Sequence, residues 1–533
     1  MRGADLVTGA LASAGVKTIF SLSGNQIMPV YDACLDTGLR IIHTRHEAAA
    51  VFMADAHAQL TGTLGVALVT AAPGAANALG PLFSARLSES PVLLLTGDSS
   101  VAQDGRGAFQ ELDQVALTSP LTKLSLRPKS AAELRDALIE AARVALSGRP
   151  GPVHIALPFD VLEASSDVGI PTAEEMRPVA ETVEEAQVAN IAKHVAAAER
   201  PLILLGPAMS ASRTGDLTTR LADHLDAPVI AMESPRGLND PSLGAIGPIV
   251  ADADMIVALG KPVDFTLGFG KPAARARWIV VDAEDAEIAR ARSNLGERIL
   301  LDLQATPASV ADTMLDQPAA KDARSDWRGR VDAATRWRAP FAETDPASGR
   351  ITSGGLCAAV QRSLDKATRS VVICDGGEFG QWAQAGTRGT RRIVNGPSGA
   401  IGGGPCYGLG ARVADPDAAI IVLVGDGTVG FHLAEFETAA RAGTPFVVVI
   451  GNDGLWNAEH QIQLRQYGPD RLIGCDLSPA RYDLAVAALG GHGEYVEQAS
   501  ELDAALERAI ASGKVACVNV VIAGLPAPSG SGH

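Results

Sequence analysis

Residues 420–457 read IIVLVGDGTVGFHLAEFETAARAGTPFVVVIGNDGLWN, a stretch in which two apolar runs are each followed by a short polar cluster. Its first five residues are apolar and predict a buried strand, which runs directly into Gly425-Asp426-Gly427. Apolar residues then recur at helical spacing from Phe431 to Ala440, and a second apolar run ends at Asn452-Asp453. Two parallel strands joined by a helix bring both polar clusters to one carboxyl edge, where open α/β sheets bind ligands.

The residue types at this edge suit an anionic ligand and a hard cation. Gly425 and Gly427 let a diphosphate approach bare backbone N–H groups at a helix N-terminus. Asp426, Asp453 and a backbone carbonyl near Leu455 offer the oxygen ligands that Mg²⁺ prefers. The alternative is a turn and a strand-end loop that bind nothing.

This arrangement resembles the magnesium–diphosphate anchor of thiamine diphosphate enzymes, in which Gly-Asp-Gly precedes a pair of asparagines. Here 24 residues separate Gly427 from Asn452. Asp453 stands where many relatives have the second asparagine, and coordination is expected to survive because carboxylate oxygens also suit Mg²⁺. The resemblance implies thiamine diphosphate and Mg²⁺ as cofactors. The residues it assigns to the cofactor here are Gly425, Gly427, Thr428 and Leu455, and those it assigns to the metal are Asp426, Asp453 and Leu455.

The first third of the chain alternates helices with strands, which predicts a parallel doubly wound sheet. One of these strands ends in Arg45-His46-Glu47, and a helix of small residues follows. In most proteins a carboxylate at this position is a surface cap. The resemblance implies instead that Glu47 binds N1′ of the aminopyrimidine, so that the 4′-amino group can remove the thiazolium C2 proton. It also places Asn77 at the cofactor.

Substrate residues are expected around the cofactor. Residues 107–114 resemble a loop of acetolactate synthases, benzaldehyde lyases and 2-hydroxyacyl-CoA lyases, which makes Gln110 a hydrogen-bond donor on the substrate side. The alternative for Gln110 is an exposed loop amide. His432 is a candidate proton shuttle because imidazole titrates near neutral pH, although a histidine at a helix start is equally typical of a surface. The remaining expected pocket residues are Asn25, Gln26, Trp456 and His460.

Polar, charged segments divide the chain into three α/β domains, each predicted to be a doubly wound parallel sheet. Expected boundaries are 1–165 for a pyrimidine-binding domain, 186–325 for a middle Rossmann-like domain and 350–525 for a diphosphate-binding domain, with linkers at 164–200 and 321–349. The middle domain has no GxGxxG after its first strand, so FAD or the ADP part of CoA is possible there but a structural role is favoured. In the third domain, the resemblance assigns Gly376, Gly377, Glu378 and Gly399 to the cofactor. Within the glycine-rich run 396–404, it makes Ile401 the apolar residue that holds the two cofactor rings in a V.

Charge and composition exclude several functions. The net charge is −16 and no basic cluster interrupts it, which argues against nucleic acid or an anionic membrane as a partner. No apolar run is long enough to span a membrane, and the N-terminus does not resemble a signal peptide. The 6 cysteines are scattered, so buried free thiols in a reducing cytoplasm are expected.

The resemblance covers nearly the whole chain, from Ala4 to about Gly524. It implies a thiamine diphosphate- and Mg²⁺-dependent 2-keto acid decarboxylase or carboligase of the acetolactate synthase-like group, which forms or cleaves C–C bonds through an enamine. The alternative is a lyase acting on 2-hydroxyacyl-CoA or oxalyl-CoA, although the short uncharged tail favours a substrate without CoA. A non-catalytic relative is disfavoured because Glu47 and the metal ligands are present.

Assembly is part of the same expectation. In this family the diphosphate anchor of one subunit faces the glutamate of its neighbour, so the chain is expected to form at least a homodimer and to assemble as a homotetramer. Its expected substrates are small 2-keto acids, aldehydes or acyl-CoA thioesters.

Overall fold

The computed structural model describes residues 1–178, 181–320, 323–395 and 398–528. Gly396 and Pro397 of the predicted glycine-rich run, and residues 321 and 322 of the predicted second linker, lie outside this description. Helices alternate with parallel strands in three separate sheets. The prediction of three parallel-sheet α/β domains is therefore confirmed, whereas the exact domain boundaries stay a prediction.

The first sheet has 6 strands in the order β2-β1-β3-β4-β6-β5. Its central strands β3 and β4 are buried along their whole length, because helices cover both faces of the sheet. Its strands are β1 (Thr18–Ser21), β2 (Arg40–His43), β3 (Gly65–Val69), β4 (Val92–Asp98), β5 (Leu124–Leu126) and β6 (Val153–Pro158). Its helices are α1 (Gly3–Ser13), α2 (Met28–Thr37), α3 (Glu47–Thr61), α4 (Pro73–Asn77), α5 (Leu79–Leu87), α6 (Gln114–Thr118), α7 (Ala131–Leu146), α8 (Phe159–Glu163) and α9 (Ala173–Met176).

The middle sheet has 5 strands in the order β11-β10-β9-β7-β8. They are β7 (Pro201–Leu205), β8 (Val229–Ala231), β9 (Met255–Leu259), β10 (Arg277–Asp282) and β11 (Ile299–Gln304). The helices are α10 (Glu185–Ala197), α11 (Ala211–Thr214), α12 (Leu217–Leu225), α13 (Ile246–Asp252), α14 (Asp285–Leu295), α15 (Pro307–Leu315) and α16 (Ser325–Arg336). Helix α16 lies in the predicted second linker, yet Trp327 and Val331 bury one of its faces in the middle core.

The third sheet has 6 strands in the order β13-β12-β14-β15-β17-β16. They are β12 (Ser370–Cys374), β13 (Arg391–Val394), β14 (Ala419–Gly425), β15 (Val447–Asn452), β16 (His492–Val496) and β17 (Ala516–Val521). The helices are α17 (Ser353–Leu364), α18 (Gly377–Gly386), α19 (Gly404–Ala414), α20 (Asp426–Val429), α21 (Glu435–Ala442), α22 (Asn457–Tyr467), α23 (Tyr482–Ala488) and α24 (Leu502–Ala511).

Register in the third sheet places the two predicted polar clusters side by side. Strands β14 and β15 are neighbours, and Gly425 lies opposite Gly451. The residues that follow each strand therefore leave the sheet at the same point of its carboxyl edge.

The helix predicted between these strands is interrupted. It is divided into α20, a short 3₁₀ turn (Gly430–His432) and α21. Phe431, which helical spacing places on the buried face, is 57% exposed and stacks edge-on against Trp456. The tighter 3₁₀ turn changes the rotation per residue, so the apolar stripe of α21 does not continue back to Phe431.

The first and third domains pack together through α3 and α19, and small residues make this contact close. A Cβ atom at Gly410 would overlap the carbonyl oxygen of Met53, and one at Gly403 would press on the Phe52 ring. Across the same interface, the Tyr407 hydroxyl donates to Asp55 Oδ2 at 3.0 Å. Helix α3 is consequently buried on nearly all sides.

A buried ionic cluster joins the first and middle domains. The Arg149 guanidinium is paired with both Glu89 and Asp282 and also donates to the Gly260 carbonyl at 3.1 Å.

Two further expectations concern the cysteines and membrane spans. All 6 cysteines are buried free thiols, as predicted. Within the described ranges, no helix has the length and apolar character that crossing a membrane requires.

Candidate active site

A cavity of about 220 Å³, here called the anchor cavity, opens at the carboxyl edge of the third sheet. It lies between the N-terminal ends of α18, α20 and α22, so several free backbone N–H groups and helix dipoles converge on it. The residues predicted from sequence that line it are Gly376, Gly377, Glu378, Gly399, Ile401, Gly425, Asp426, Gly427, Thr428, Asp453, Leu455 and Trp456.

Two carboxyl groups, that of buried Asp426 and that of half-buried Asp453, meet in the anchor cavity. Burial raises the pKa of Asp426 to about 6. Burial, followed by repulsion from Asp426, raises the pKa of Asp453 to about 7. Each carboxylate already accepts one backbone hydrogen bond, Asp426 from Gly454 and Asp453 from Leu455, both at 3.1 Å. Two adjacent, partly desolvated acids are poorly stabilised without a cation between them.

The donor set fits a hard cation that takes part of its coordination from a ligand. No cluster of three or more His, Cys, Asp or Glu side chains arranged to hold a metal occurs in the described part of the chain. A cation bound by Asp426 and Asp453 would therefore complete its shell with a backbone carbonyl, phosphate oxygens and water, as Mg²⁺ commonly does.

Asn452 takes no part in this cavity. Its amide donates to the Ala480 carbonyl at 3.1 Å and to Asn519 Oδ1 at 3.0 Å, inside the sheet edge. Successive residues of an extended strand point to opposite sides, so Asp453 is the one that faces the cavity.

Asp375 organises the two glycine-rich loops around the cavity, and sequence reasoning did not select it. Its buried carboxylate accepts hydrogen bonds from the backbone N–H groups of Gly376, Gly402 and Gly404 at 2.6, 2.9 and 2.8 Å. Burial raises the pKa of this carboxyl group. Ile401 is held directly against the Gly376 backbone, where a Cβ atom would lie 2.5 Å from Ile401 Cγ2. The sequence did contain a signal for this role. Asp375 follows a predicted strand and precedes two glycine-rich stretches, whose backbone N–H groups need acceptors.

Glu47 and Asn77, predicted separately, lie together in the first domain. Glu47 is buried at the first turn of α3, and the Asn77 amide donates to Glu47 Oε2 at 3.0 Å. His46 caps the same helix, because its Nδ1 accepts from Ala48 N at 3.0 Å. The bond from Asn77 orients a carboxylate that would otherwise rotate freely.

The predicted amide residues also converge. Gln26 Nε2 donates to Gln110 Oε1 at 2.6 Å, and Thr70 Oγ1 donates to Gln26 Oε1 at 2.9 Å. Gln110 has a φ of +59°, a left-handed conformation that a non-glycine residue adopts at a cost. A cavity of about 220 Å³, the amide cavity, is lined by Asn25, Gln26, Ser99 and Phe109 among others.

The two predicted histidines are not among the residues that line the anchor cavity. His432 is buried, with its Nδ1 2.8 Å from the Gly402 carbonyl oxygen and its ring edge-on to Phe52. Burial lowers its pKa. These contacts favour a packing role between α3 and the Gly402 loop, and the shuttle remains a prediction. His460 lies on α22, one turn beyond Trp456, and its place in a substrate pocket also remains a prediction.

Arg236 is the second residue that sequence reasoning missed. It lies on the loop after β8 of the middle domain, yet it lines the anchor cavity of the third domain. By contrast, no residue of the first domain is among the described residues that line this cavity. Glu47 and the acid pair thus belong to different surfaces of one chain.

Comparison with known proteins identifies the family of the chain. Models described as the N-terminal, central and C-terminal domains of thiamine pyrophosphate enzymes match residues 1–117, 188–307 and 375–520. A probable acetolactate synthase of Mycobacterium bovis is 30% identical over 539 residues, which cover 98% of this chain and 96% of the relative. The chain belongs to the thiamine pyrophosphate enzyme family.

Other members of this thiamine pyrophosphate enzyme family carry a different name. The 2-hydroxyacyl-CoA lyase 2 of Danio rerio is 28% identical over 576 residues, covering 98% of this chain and 91% of the relative. The human 2-hydroxyacyl-CoA lyase 2 is 29% identical over 551 residues, covering 94% and 86%. The resemblance read from the sequence is thus confirmed. Thiamine diphosphate, the same molecule as thiamine pyrophosphate, is supported as the cofactor because the two outer matches are TPP binding domains.

Proposed function

We propose that this thiamine pyrophosphate enzyme is a Mg²⁺-dependent 2-keto acid decarboxylase or carboligase of the acetolactate synthase type. The observation that carries the proposal is the pair of acids, buried Asp426 and half-buried Asp453, in a cavity lined by glycine backbone and Ile401. Such a cavity matches a molecule with a diphosphate at one end and a ring at the other. The acetolactate synthase relative supports the reaction type.

The residues present fit both cofactors. Asp426, Asp453 and the Leu455 carbonyl would hold Mg²⁺, while the N–H groups of Gly377 and Gly427 would face the diphosphate oxygens. When bound, thiamine diphosphate supplies a nucleophilic carbon that adds to a substrate carbonyl. Asp375 keeps the Gly376 and Gly402 loops together, and Ile401 would support the cofactor rings.

Side chains of the first domain would manage protons and the substrate oxygen. Glu47, oriented by Asn77, would share a proton with the N1′ position of the pyrimidine. Gln110 and Gln26 form one hydrogen-bonded pair, and an amide N–H of this pair would donate to the substrate carbonyl oxygen as negative charge develops there.

We infer that a second copy of the chain supplies Glu47 to each anchor cavity. The support is that the lining of this cavity comes from the third domain and Arg236, while Glu47 lies at the buried start of α3. A homodimer is then the smallest active unit, and a homotetramer is a pair of such dimers.

Mixing two inactive variants tests this shared site. Glu47→Gln and Asp426→Asn proteins are unfolded together, refolded and assayed. In a mixed dimer, one site carries both changes and the other carries neither, so random pairing should restore about a quarter of wild-type activity. A site built within one chain would restore none.

The test of the reaction itself uses purified protein with thiamine diphosphate and Mg²⁺ added or withheld. Pyruvate, glyoxylate, benzoin and a 2-hydroxyacyl-CoA are offered to wild type, to Glu47→Gln and to Glu163→Gln, an exposed acid of the same domain as the control. We expect cofactor-dependent consumption of a 2-keto acid by wild type and the control, with a loss of at least 100-fold in Glu47→Gln. Equal turnover with and without added thiamine diphosphate would refute the proposal.

A second candidate is a 2-hydroxyacyl-CoA lyase, favoured by relatives of that name that align over most of the chain. In that case the 2-hydroxyacyl-CoA is the compound consumed in the same assay, and pyruvate is not.

A further inference from the structure

Arg236 is the residue of the middle domain that lines the anchor cavity of the third domain. Besides the anchor cavity, it lines a neighbouring cavity of about 380 Å³, here called the entrance cavity, together with Asn239, Phe265 and Gln381. Asp426 and Asp453 line the anchor cavity but not the entrance cavity. Arg236 thus lies where the two cavities adjoin, whereas the acid pair borders only the anchor cavity.

Arg236 is also the one basic residue among the described residues that line either cavity. In the described ranges, its guanidinium group forms no hydrogen bond or ion pair. Nearby arginines differ, because Arg392 is paired with Glu233 at 2.7 Å and Arg338 donates to carbonyl oxygens of four residues. Glu378, the neighbouring acid, already accepts from Gln381 and the Ala527 backbone.

An exposed arginine directed into a cavity is suited to a planar anion. Its five N–H donors match a carboxylate or phosphate in a two-bonded geometry, and this geometry contributes both affinity and orientation. The diphosphate end of the cofactor already has the backbone N–H groups and the cation held by the acid pair. The anion left for Arg236 is one that enters with the substrate.

We propose that Arg236 binds the anionic group of the donor substrate and thereby selects charged donors over neutral ones. This inference rests on the proposed function, since it concerns the donor of that same site. A 2-keto acid would present its carboxylate and an acyl-CoA its phosphates, and both share the same chemistry at the guanidinium.

The test compares Arg236→Gln, Arg236→Lys and wild type on charged and neutral donors. We expect Arg236→Gln to raise KM for the anionic donor about 10- to 100-fold and to leave KM for neutral benzoin unchanged. Arg236→Lys should recover part of the loss. Arg275→Gln, an exposed middle-domain arginine that lines neither cavity, is the matched control and should behave as wild type. If KM of Arg236→Gln rises for the 2-keto acid, the group bound by Arg236 is the carboxylate. If KM rises only for the acyl-CoA, the groups bound are the phosphates.

Binding measurements keep the test independent of turnover. Thiamine diphosphate affinity, followed by the tryptophan fluorescence to which Trp456 in the anchor cavity contributes, should be equal in Arg236→Gln and wild type. The variant could instead lose cofactor affinity while the ratio of its KM values for anionic and neutral donors stays as in wild type. In that case Arg236 binds the diphosphate and the inference fails. Equal losses on charged and neutral donors would also overturn it.

The inference about Arg236 can be tested even if the proposed function is wrong. If wild type turns over none of the donors, calorimetric titration of the cofactor-loaded protein with pyruvate and with a 2-hydroxyacyl-CoA still decides the inference. Weaker binding of either anion to Arg236→Gln than to wild type and Arg275→Gln supports it, and equal binding refutes it.

Discussion

Asp453 shows how one residue can change the charge of a cavity while its shape stays the same. Asparagine has the same outline but no charge, so Asp453→Asn should keep an oxygen ligand and weaken cation binding by roughly tenfold. Asp453→Leu removes the ligand and should abolish Mg²⁺-dependent activity. Titration of activity with Mg²⁺ measures both effects, with Asp470→Asn at an exposed site as the control. An unchanged Mg²⁺ requirement in Asp453→Leu would show that the metal lies elsewhere.

His154 makes the stability of the first domain depend on pH. It is fully buried, with Nε2 2.9 Å from Thr96 Oγ1 and Nδ1 2.9 Å from both Thr118 Oγ1 and Ser125 Oγ. Burial lowers its pKa from 6.5 to about 3. The imidazole of His154 is therefore protonated near pH 6.5 in the unfolded chain but only near pH 3 in the folded chain.

Stability contributed by neutral His154 is present above pH 6.5 and is lost as the pH falls toward 3, by about 1.4 kcal/mol per unit. Urea unfolding at pH 7.0, 6.0 and 5.0 should show this slope. His154→Gln has no titrating group there, so its curve should be flatter. Equal slopes in the two proteins would contradict the burial of a neutral imidazole.

The spacing of residues along the sequence predicted that some site residues lie close together, but it did not predict the positions of others. Asp426 and Asp453 follow neighbouring strands of one sheet, so local pattern determines that they meet. Asp375 depends on N–H groups 27 and 29 residues further along the chain, and Arg236 depends on the docking of a separate domain. Contacts of this kind arise from tertiary packing, which hydrophobic periodicity does not encode.

At the scale of elements, the contact between α3 and α19 depends on the absence of side chains. Gly410→Ala would place a methyl group into the Met53 backbone and force the helices apart, at a cost of about 1–3 kcal/mol. Gly329→Ala, in α16, meets open space and should stabilise its helix by up to about 1 kcal/mol. Thermal unfolding distinguishes the two, and a Gly410→Ala protein as stable as wild type would show that this interface is loose.

The elements themselves were the most predictable part of the fold. The apolar run at 420–424 becomes β14, extended by one residue at each end. The continuous helix expected after it is instead broken by a 3₁₀ turn, in which Phe431 and His432 pack against the Gly402 loop. Helix α16 was missed because its surface is strongly charged and only one narrow face is apolar.

At the scale of the whole molecule, Arg149 joins two domains through buried charge. Arg149→Met would leave Glu89 and Asp282 buried without a partner, and loss of one member of such a cluster costs about 3–5 kcal/mol. Arg362→Met, at an exposed pair with Asp503, should lie within experimental error of wild type. Differential scanning calorimetry should show an earlier transition only in Arg149→Met. An unchanged transition would mean that the two domains are held together by other contacts.

The first and third sheets have the same strand order, with the second strand at one edge followed by the first, third, fourth, sixth and fifth. Strands β3 and β14 therefore hold equivalent places in their sheets, and the segment after β3 carries the amide of Asn77 while the segment after β14 carries the acid of Asp426. On the proposed function, the ring of the cofactor would be bound beside one of these segments and its diphosphate beside the other, so that neither domain alone would bind both ends.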